Sequence, residues 1–169
     1  MAVLETERLV LRKLESGDAP FILELLNEPS FHRYIGDKGV RTLDDAREYI
    51  TTGPVESYAR FGFGLFLTAL KDGDIPIGIC GLLKRDSLDH VDIGFAFLPA
   101  FWGSGYAHES AAAVMAFGKS AFGLERIVAI VAPDNHASLR LLGKLGMRFD
   151  RMIRMSEEGA EIQLLVGDL

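Results

Sequence analysis

The chain has 169 residues, about half of them apolar, and a net charge of −6, which suits one ordinary domain over residues 1–169 with a full core. The acidic balance disfavours nucleic-acid binding, which calls for a basic stripe. Every apolar run is broken by Gly or charge before it could cross a bilayer, and residues 1–5 lack a basic-then-apolar leader, so a cytoplasmic protein with neither nucleic-acid nor membrane partners is expected.

In chain order, residues 8–14 alternate polar and apolar, as a half-buried strand does. Ser16-Gly17-Asp18-Ala19-Pro20 opens a helix with Asp18 as N-cap, and Phe21, Leu25 and Leu26 carry its spacing. Asn27-Glu28-Pro29-Ser30 ends it, and a loop follows through His32, Tyr34 and Gly36. A second helix starts at Thr42 or Asp44 and carries Ala46, Tyr49 and Ile50. Residues 63–70, 75–84 and 90–98 read as strands joined by Lys71-Asp72-Gly73-Asp74 and Asp86-Ser87-Leu88-Asp89, an antiparallel meander. Cys80 lies inside one of them and reads as a small core residue.

The pattern then changes to a helix over 107–122, with Ala111, Val114, Met115 and Gly118 at helical spacing, and an apolar strand over 126–131. Strand, helix and strand in that order predict a βαβ crossover with parallel strands. Asp134 or Asn135 caps a further helix ending at Gly146, and residues 149–155 and 160–166 form a closing hairpin. The predicted class is α/β: one mixed sheet with an antiparallel first half, one parallel crossover and a C-terminal hairpin.

Two glycines one residue apart, Gly103 and Gly105, stand at the start of the 107–122 helix. Helix N-termini carry unpaired N–H groups and a favourable dipole, so this turn is a candidate phosphate or pyrophosphate site. It is not a dinucleotide fingerprint. His108 stands where the third glycine belongs, and Glu125, the only candidate acid, lies at the wrong end of the next strand. No Gly-Lys-Ser/Thr follows, which excludes a P-loop.

Ala100-Phe101-Trp102-Gly103-Ser104-Gly105 resembles the pyrophosphate loop of the GNAT superfamily of acyl-CoA-dependent N-acyltransferases, Gln/Arg-x-x-Gly-x-Gly/Ala, at both glycines but not at its first position. The string from Phe101 to Glu109, the helix Asn135-His136-Ala137-Ser138-Leu139-Arg140-Leu141-Leu142-Gly143-Lys144-Leu145-Gly146-Met147 and the opening Thr6-Glu7-Arg8-Leu9-Val10-Leu11-Arg12, taken as the first strand, are similar to the RimJ/RimL-like branch, which acetylates ribosomal-protein N-termini. The resemblance implies a GNAT fold and acetyl-CoA as cofactor. The implied acceptor is a protein N-terminus or a small-molecule amine, and a homodimer stays open.

The resemblance also implies site residues. Pantetheine would lie where the 90–98 strand parts from its parallel neighbour, against Phe95, Ala96, Phe97 and Leu98, with the oxyanion donor a backbone N–H near Phe97. The pyrophosphate would sit on backbone N–H groups of Trp102, Gly103, Ser104, Gly105, Tyr106 and Ala107. Leu142 occupies the position of the proton-donating Tyr of many members, so Ser138 is the expected thiolate hydrogen-bond donor, with Asn135 beside it. Asp92 is the candidate base, working through water, with His108 and Glu109 as alternatives. His32 and Tyr34 are candidate substrate contacts. The four histidines show no paired spacing, so no metal is expected. A catalytically silent acyl-CoA-binding domain is the alternative reading.

Overall fold

Leu9 and Leu11 are fully buried and Val10 and Arg12 only partly so, the alternation of a strand with one covered face. This strand is the second in the chain. The computed structural model describes residues 1–169 and adds a strand β1 (Ala2–Glu5) ahead of β2 (Leu9–Lys13), with Thr6–Arg8 as the turn between them. Then come β3 (Leu65–Leu70), β4 (Ile75–Leu83), β5 (Asp92–Phe97), β6 (Arg126–Val131), β7 (Arg148–Ile153) and β8 (Ile162–Asp168). They form one eight-stranded sheet in the order β1-β2-β3-β4-β5-β6-β8-β7. Neighbours from β1 to β5 run antiparallel, β5 and β6 run parallel, and the closing hairpin inserts β8 between β6 and β7.

Helix α1 (Ala19–Leu26) follows β2. Asp18 precedes it without capping it, because its carboxylate receives Arg12 at 2.9 and 2.8 Å and the Glu15 N–H at 2.9 Å instead. The loop expected around His32 is helix α2 (Pro29–Tyr34). Pro29 sits at its first position, where a missing N–H costs nothing, so this proline starts a helix rather than only ending one. Helix α3 (Leu43–Ile50) is capped by Thr42, which accepts the Asp45 N–H at 3.0 Å. A π turn over Thr51–Val55, with Pro54 inside it, leads directly into α4 (Glu56–Phe61), which local periodicity does not reveal. Helix α5 (Tyr106–Phe122) makes the crossover and α6 (His136–Lys144) follows β6.

The sheet is covered on both faces. On one, α5 lays Ala111 and Val114 against Leu9, Phe66, Leu82, Ile93 and Ile127. Gly118 lets it lie close, since an added Cβ would stand 3.3 Å from Leu82. On the other, α1 and α3 bury Ile22, Leu25, Leu26 and Ile50 against Leu67, Ile79 and Leu98. Each such side chain contributes about 1.5–3 kcal/mol of transfer free energy. Cys80 lies in the first core, and burial pushes its thiol up to about 12, so no thiolate is available there.

Tyr58 of α4 links the two layers to the sheet. Its hydroxyl accepts the buried Leu14 N–H at 3.0 Å and donates to the Leu65 carbonyl, and burial raises it to about 12. Tyr58→Phe leaves the Leu14 N–H buried without a partner. It should cost about 1–3 kcal/mol in urea unfolding; an unchanged midpoint would show that the hydroxyl carries no structural load.

Candidate active site

The ladder between β5 and β6 has a single registered pair, Asp92 with Val128, anchored by the Val128 N–H on the Val91 carbonyl at 3.0 Å. Beyond it the strands part. Antiparallel pairing turns the backbone groups of alternate residues to opposite sides. The Leu98 N–H donates to Ile77 of β4 at 2.9 Å, and with Gly78 opposite Phe97 this register turns Ala96 and Leu98 toward β4. The backbone groups of Phe95 and Phe97 therefore face the gap, with no strand partner there. Leu98 does not share this position: its N–H is taken, its side chain is in the core, and it is not open to a ligand.

The glycine turn follows. Gly103 has φ 79° and Gly105 φ 84°, both in the left-handed region where a side chain is strained. The N–H groups of Gly103, Ser104, Gly105, Tyr106, Ala107 and His108 have no acceptor within the chain; the first bond of α5 runs from Glu109 N–H to Gly105 O at 3.0 Å. Trp102 differs from the expectation. Its N–H closes the Pro99–Phe101 turn on Pro99 at 3.2 Å, and its indole Nε1 donates to the Phe97 carbonyl at 2.9 Å. It pins the end of β5 rather than offering a backbone donor.

Glu109 is a clamp. Thr6 Oγ1 donates to it at 2.5 Å, the Arg8 N–H at 3.0 Å and Arg8 Nε at 2.8 Å, while the Arg8 guanidinium lies 4.4 Å from the Tyr106 ring centre. Burial alone would raise the Glu109 carboxyl, but these bonds outweigh it and hold it below the ordinary glutamate value. A carboxylate so held is a poor proton acceptor, which removes Glu109 as an alternative base.

Two cavities meet at the gap. One, about 900 Å³, lies toward Asp92; the other, about 790 Å³, lies along the glycine turn. Both are lined by Phe95, Ala96, Asn135 and Ser138, and by Phe31 and Tyr34 of α2. His32 lines the first only, and Arg140 and Lys144 line the second. Asn135 caps α6 by accepting the Ser138 N–H at 3.3 Å, and the Ser138 hydroxyl makes no hydrogen bond within the chain. Leu142, one turn later, is buried in the first cavity wall.

Asp92 is 1% exposed, and its only side-chain partner is Arg85, whose Nε stands 3.2 and 3.4 Å from its two oxygens. Burial pushes its carboxyl above the ordinary range, against the pull of Arg85. The expected strand aspartate is thus a buried, paired one. Arg85, from the loop before β5, carries no local signal that would have marked it. Asp92 lies three positions along β5 from Phe95, about 10 Å, so Asp92 reaches the gap only through an intervening molecule.

A family model described as an acetyltransferase (GNAT) domain matches residues 8–148. The chain belongs to the GNAT acetyltransferase family. It is 32% identical over 154 residues to the uncharacterised N-acetyltransferase YoaA of Bacillus subtilis, covering 90% of this chain and 86% of that one. A GNAT-family acetyltransferase from Bacillus anthracis superposes with TM-score 0.79 at 28% identity, over 96% of both chains. The fold also matches RimL, a ribosomal L7/L12 alpha-N-protein acetyltransferase solved with coenzyme A, with TM-score 0.86 at 15% identity over 100% of this chain and 98% of that one. This GNAT chain is an N-acetyltransferase, and its family uses acetyl-CoA. No helix is long and apolar enough to cross a membrane, and no group of three or more His, Cys, Asp or Glu side chains lies together.

The Glu109 clamp has a pH signature. A carboxyl held low in the folded state adds stability above its unfolded value, near 4.3, and loses it as pH falls through the folded value. Glu109→Gln should therefore cost about 1–2 kcal/mol at pH 7 and progressively less below pH 4 by urea unfolding. A gap independent of pH would contradict the charged clamp.

Proposed function

We propose that residues 1–169 act as one catalytic domain that transfers the acetyl group of acetyl-CoA to a primary amine. The observation that carries this is the run of unpartnered N–H groups over residues 103–108, together with the open backbone of Phe95 and Phe97. A pyrophosphate fits such a run through backbone alone, so Ala100 in place of Gln or Arg removes no required contact. Arg140 and Lys144 along the same cavity add positive charge for further phosphate.

Acetyl-CoA supplies an activated thioester; the chain supplies alignment, an oxyanion donor and proton traffic. Phe95 and Phe97 offer the N–H groups facing the gap, and fixed donors aimed at developing negative charge lower the barrier. The unbonded Ser138 hydroxyl on α6 is the donor to the departing sulfur, and Asn135 holds the start of that helix. Asp92, its carboxyl raised by burial, takes the amine proton through water, a task suited to a base lifted toward neutrality. The acceptor is a protein N-terminal α-amine or a small amine. The α-amine is favoured because its pKa, near 8, leaves more of it deprotonated at pH 7 than a lysine-type amine near 10.4. His32 and Tyr34 contact it from α2.

Thiol release from acetyl-CoA with an amine panel tests the reading. Ser138→Ala should lower kcat about 100-fold with little change in the KM for acetyl-CoA. Wild-type kcat in that variant would remove the proton-donor role. Gly105→Val, strained at φ 84°, should weaken acetyl-CoA binding about tenfold or more in calorimetry. Undiminished affinity would defeat the loop assignment.

A further inference from the structure

The charges of the first cavity are uneven at the end away from the glycine turn. There Arg85 meets Asp92 through Nε only, and its two Nη groups make no hydrogen bond within the chain. Lys38, exposed as a residue, also lines this cavity, and burial and the charge of Arg85 hold its ammonium below the ordinary lysine value. No carboxylate lies within ion-pair distance of Lys38. Tyr49 also feels the charge of Arg85, and its hydroxyl has no partner. The His32 Nε2 atom is buried with no hydrogen-bond partner, 3.8 Å from the nearer Asp37 oxygen.

Several of the other charges of this cavity are engaged. Arg33 pairs with Asp134 at 3.2 Å, Glu161 with Arg154 at 3.5 Å, and Lys84 donates to the carbonyls of Arg85 and Leu88. Glu56 and Arg60, one of each sign, are exposed and make no ion pair, so they add no net charge to the cavity. What remains toward Asp92 is Lys38 without a counter-ion, the free Nη groups of Arg85, an open phenol and an orphaned imidazole nitrogen, with Asp92 already engaged by Arg85. Like charges held together without a counter-ion are costly, and an anion placed between them removes the cost.

Resting on the acetyl-transfer reading, we infer that the acceptor is a primary amine carrying a carboxylate or phosphate group that seats between Lys38 and Arg85. Asp92, held by Arg85, stands three positions along β5 from Phe95 at the gap, which sets the separation of amine and anion at about 10 Å. A single amino acid spans about 3.6 Å and does not reach. The side chain of the third residue of an extended N-terminal peptide does. An acidic or phosphorylated third residue is therefore the specificity element, and a polyamine is the wrong charge.

The experiment compares C-terminally amidated tetrapeptides Ser-Ala-X-Ala, with X as Asp, phosphoserine, Ser or Lys, by thiol release. The kcat/KM for the Asp or the phosphoserine peptide should exceed that of the Ser peptide by about tenfold, with the Lys peptide lowest. Whichever of the two is preferred identifies the anion's source. Lys38→Glu, checked for folding by its melting transition, should invert the order of the Asp and Lys peptides. Equal kcat/KM across the wild-type series, or preference for Lys or for spermidine, overturns the inference and leaves acetyl transfer standing. An unchanged order in Lys38→Glu overturns the Lys38 seat. No thiol release with any amine overturns both readings.

Discussion

Two parallel strands that touch at one pair and then separate are the constraint on which the rest depends. A sheet satisfies its backbone groups through its neighbours, and an interior gap leaves some unpaired. Here β5 meets β6 at Asp92 and Val128 and then departs. The opened backbone of Phe95 lies where two cavities join, and that of Phe97 on the second of them. Neither strand is loose in consequence. β4 holds β5 along its other edge, β8 pairs with β6 over its whole length, and the Trp102 indole fixes the Phe97 carbonyl.

The gap leads into the glycine turn, so free backbone donors stand at the strand end, on Phe95 and Phe97, and again at the helix start from Gly103 on, with the engaged N–H groups of Leu98, Phe101 and Trp102 between them. The helix start is held by Glu109, which joins the first turn of α5 to the β1–β2 connection through Thr6 and Arg8. Across the gap, the Asn135 cap fixes the start of α6 and with it the Ser138 hydroxyl. On the proposed reading, the acyl-carrier side is built mostly from main chain. On the same reading the acceptor side is built from side chains that line the first cavity: His32, Lys38, Tyr49, Arg85 and Asp92. That division explains how one fold keeps its acyl donor while varying its acceptor.

Much of this was legible in the sequence, for physical reasons. The 126–131 strand is apolar from Ile127 to Val131 because both its faces are covered there, and its boundaries match those of β6. Gly103 and Gly105 mark the turn because only glycine takes positive φ without strain. Asn135 was legible as one of two candidate caps, and Ser138 through the resemblance of its helix to the RimJ/RimL-like branch. What was hidden depends on distant partners. β1 is a strand because β2 pairs with it, and α4 forms on a proline-containing π turn. The engaged N–H groups of Leu98 and Trp102 follow from pairing register and a tight turn, which residue identity does not encode. Arg85 joins Asp92 across a turn, and Glu109 gathers a turn more than a hundred residues away.

The central claim is that acetyl-CoA lies on the free backbone donors. Amide NMR of the labelled protein, titrated with acetyl-CoA, tests it most directly. The account predicts the largest and saturable shifts at Gly103, Gly105, Tyr106, Ala107, Phe95 and Phe97, with Leu98 and Trp102 responding less because their N–H groups are already engaged. Shifts confined to other parts of the sheet, or none at saturating acetyl-CoA, would contradict it.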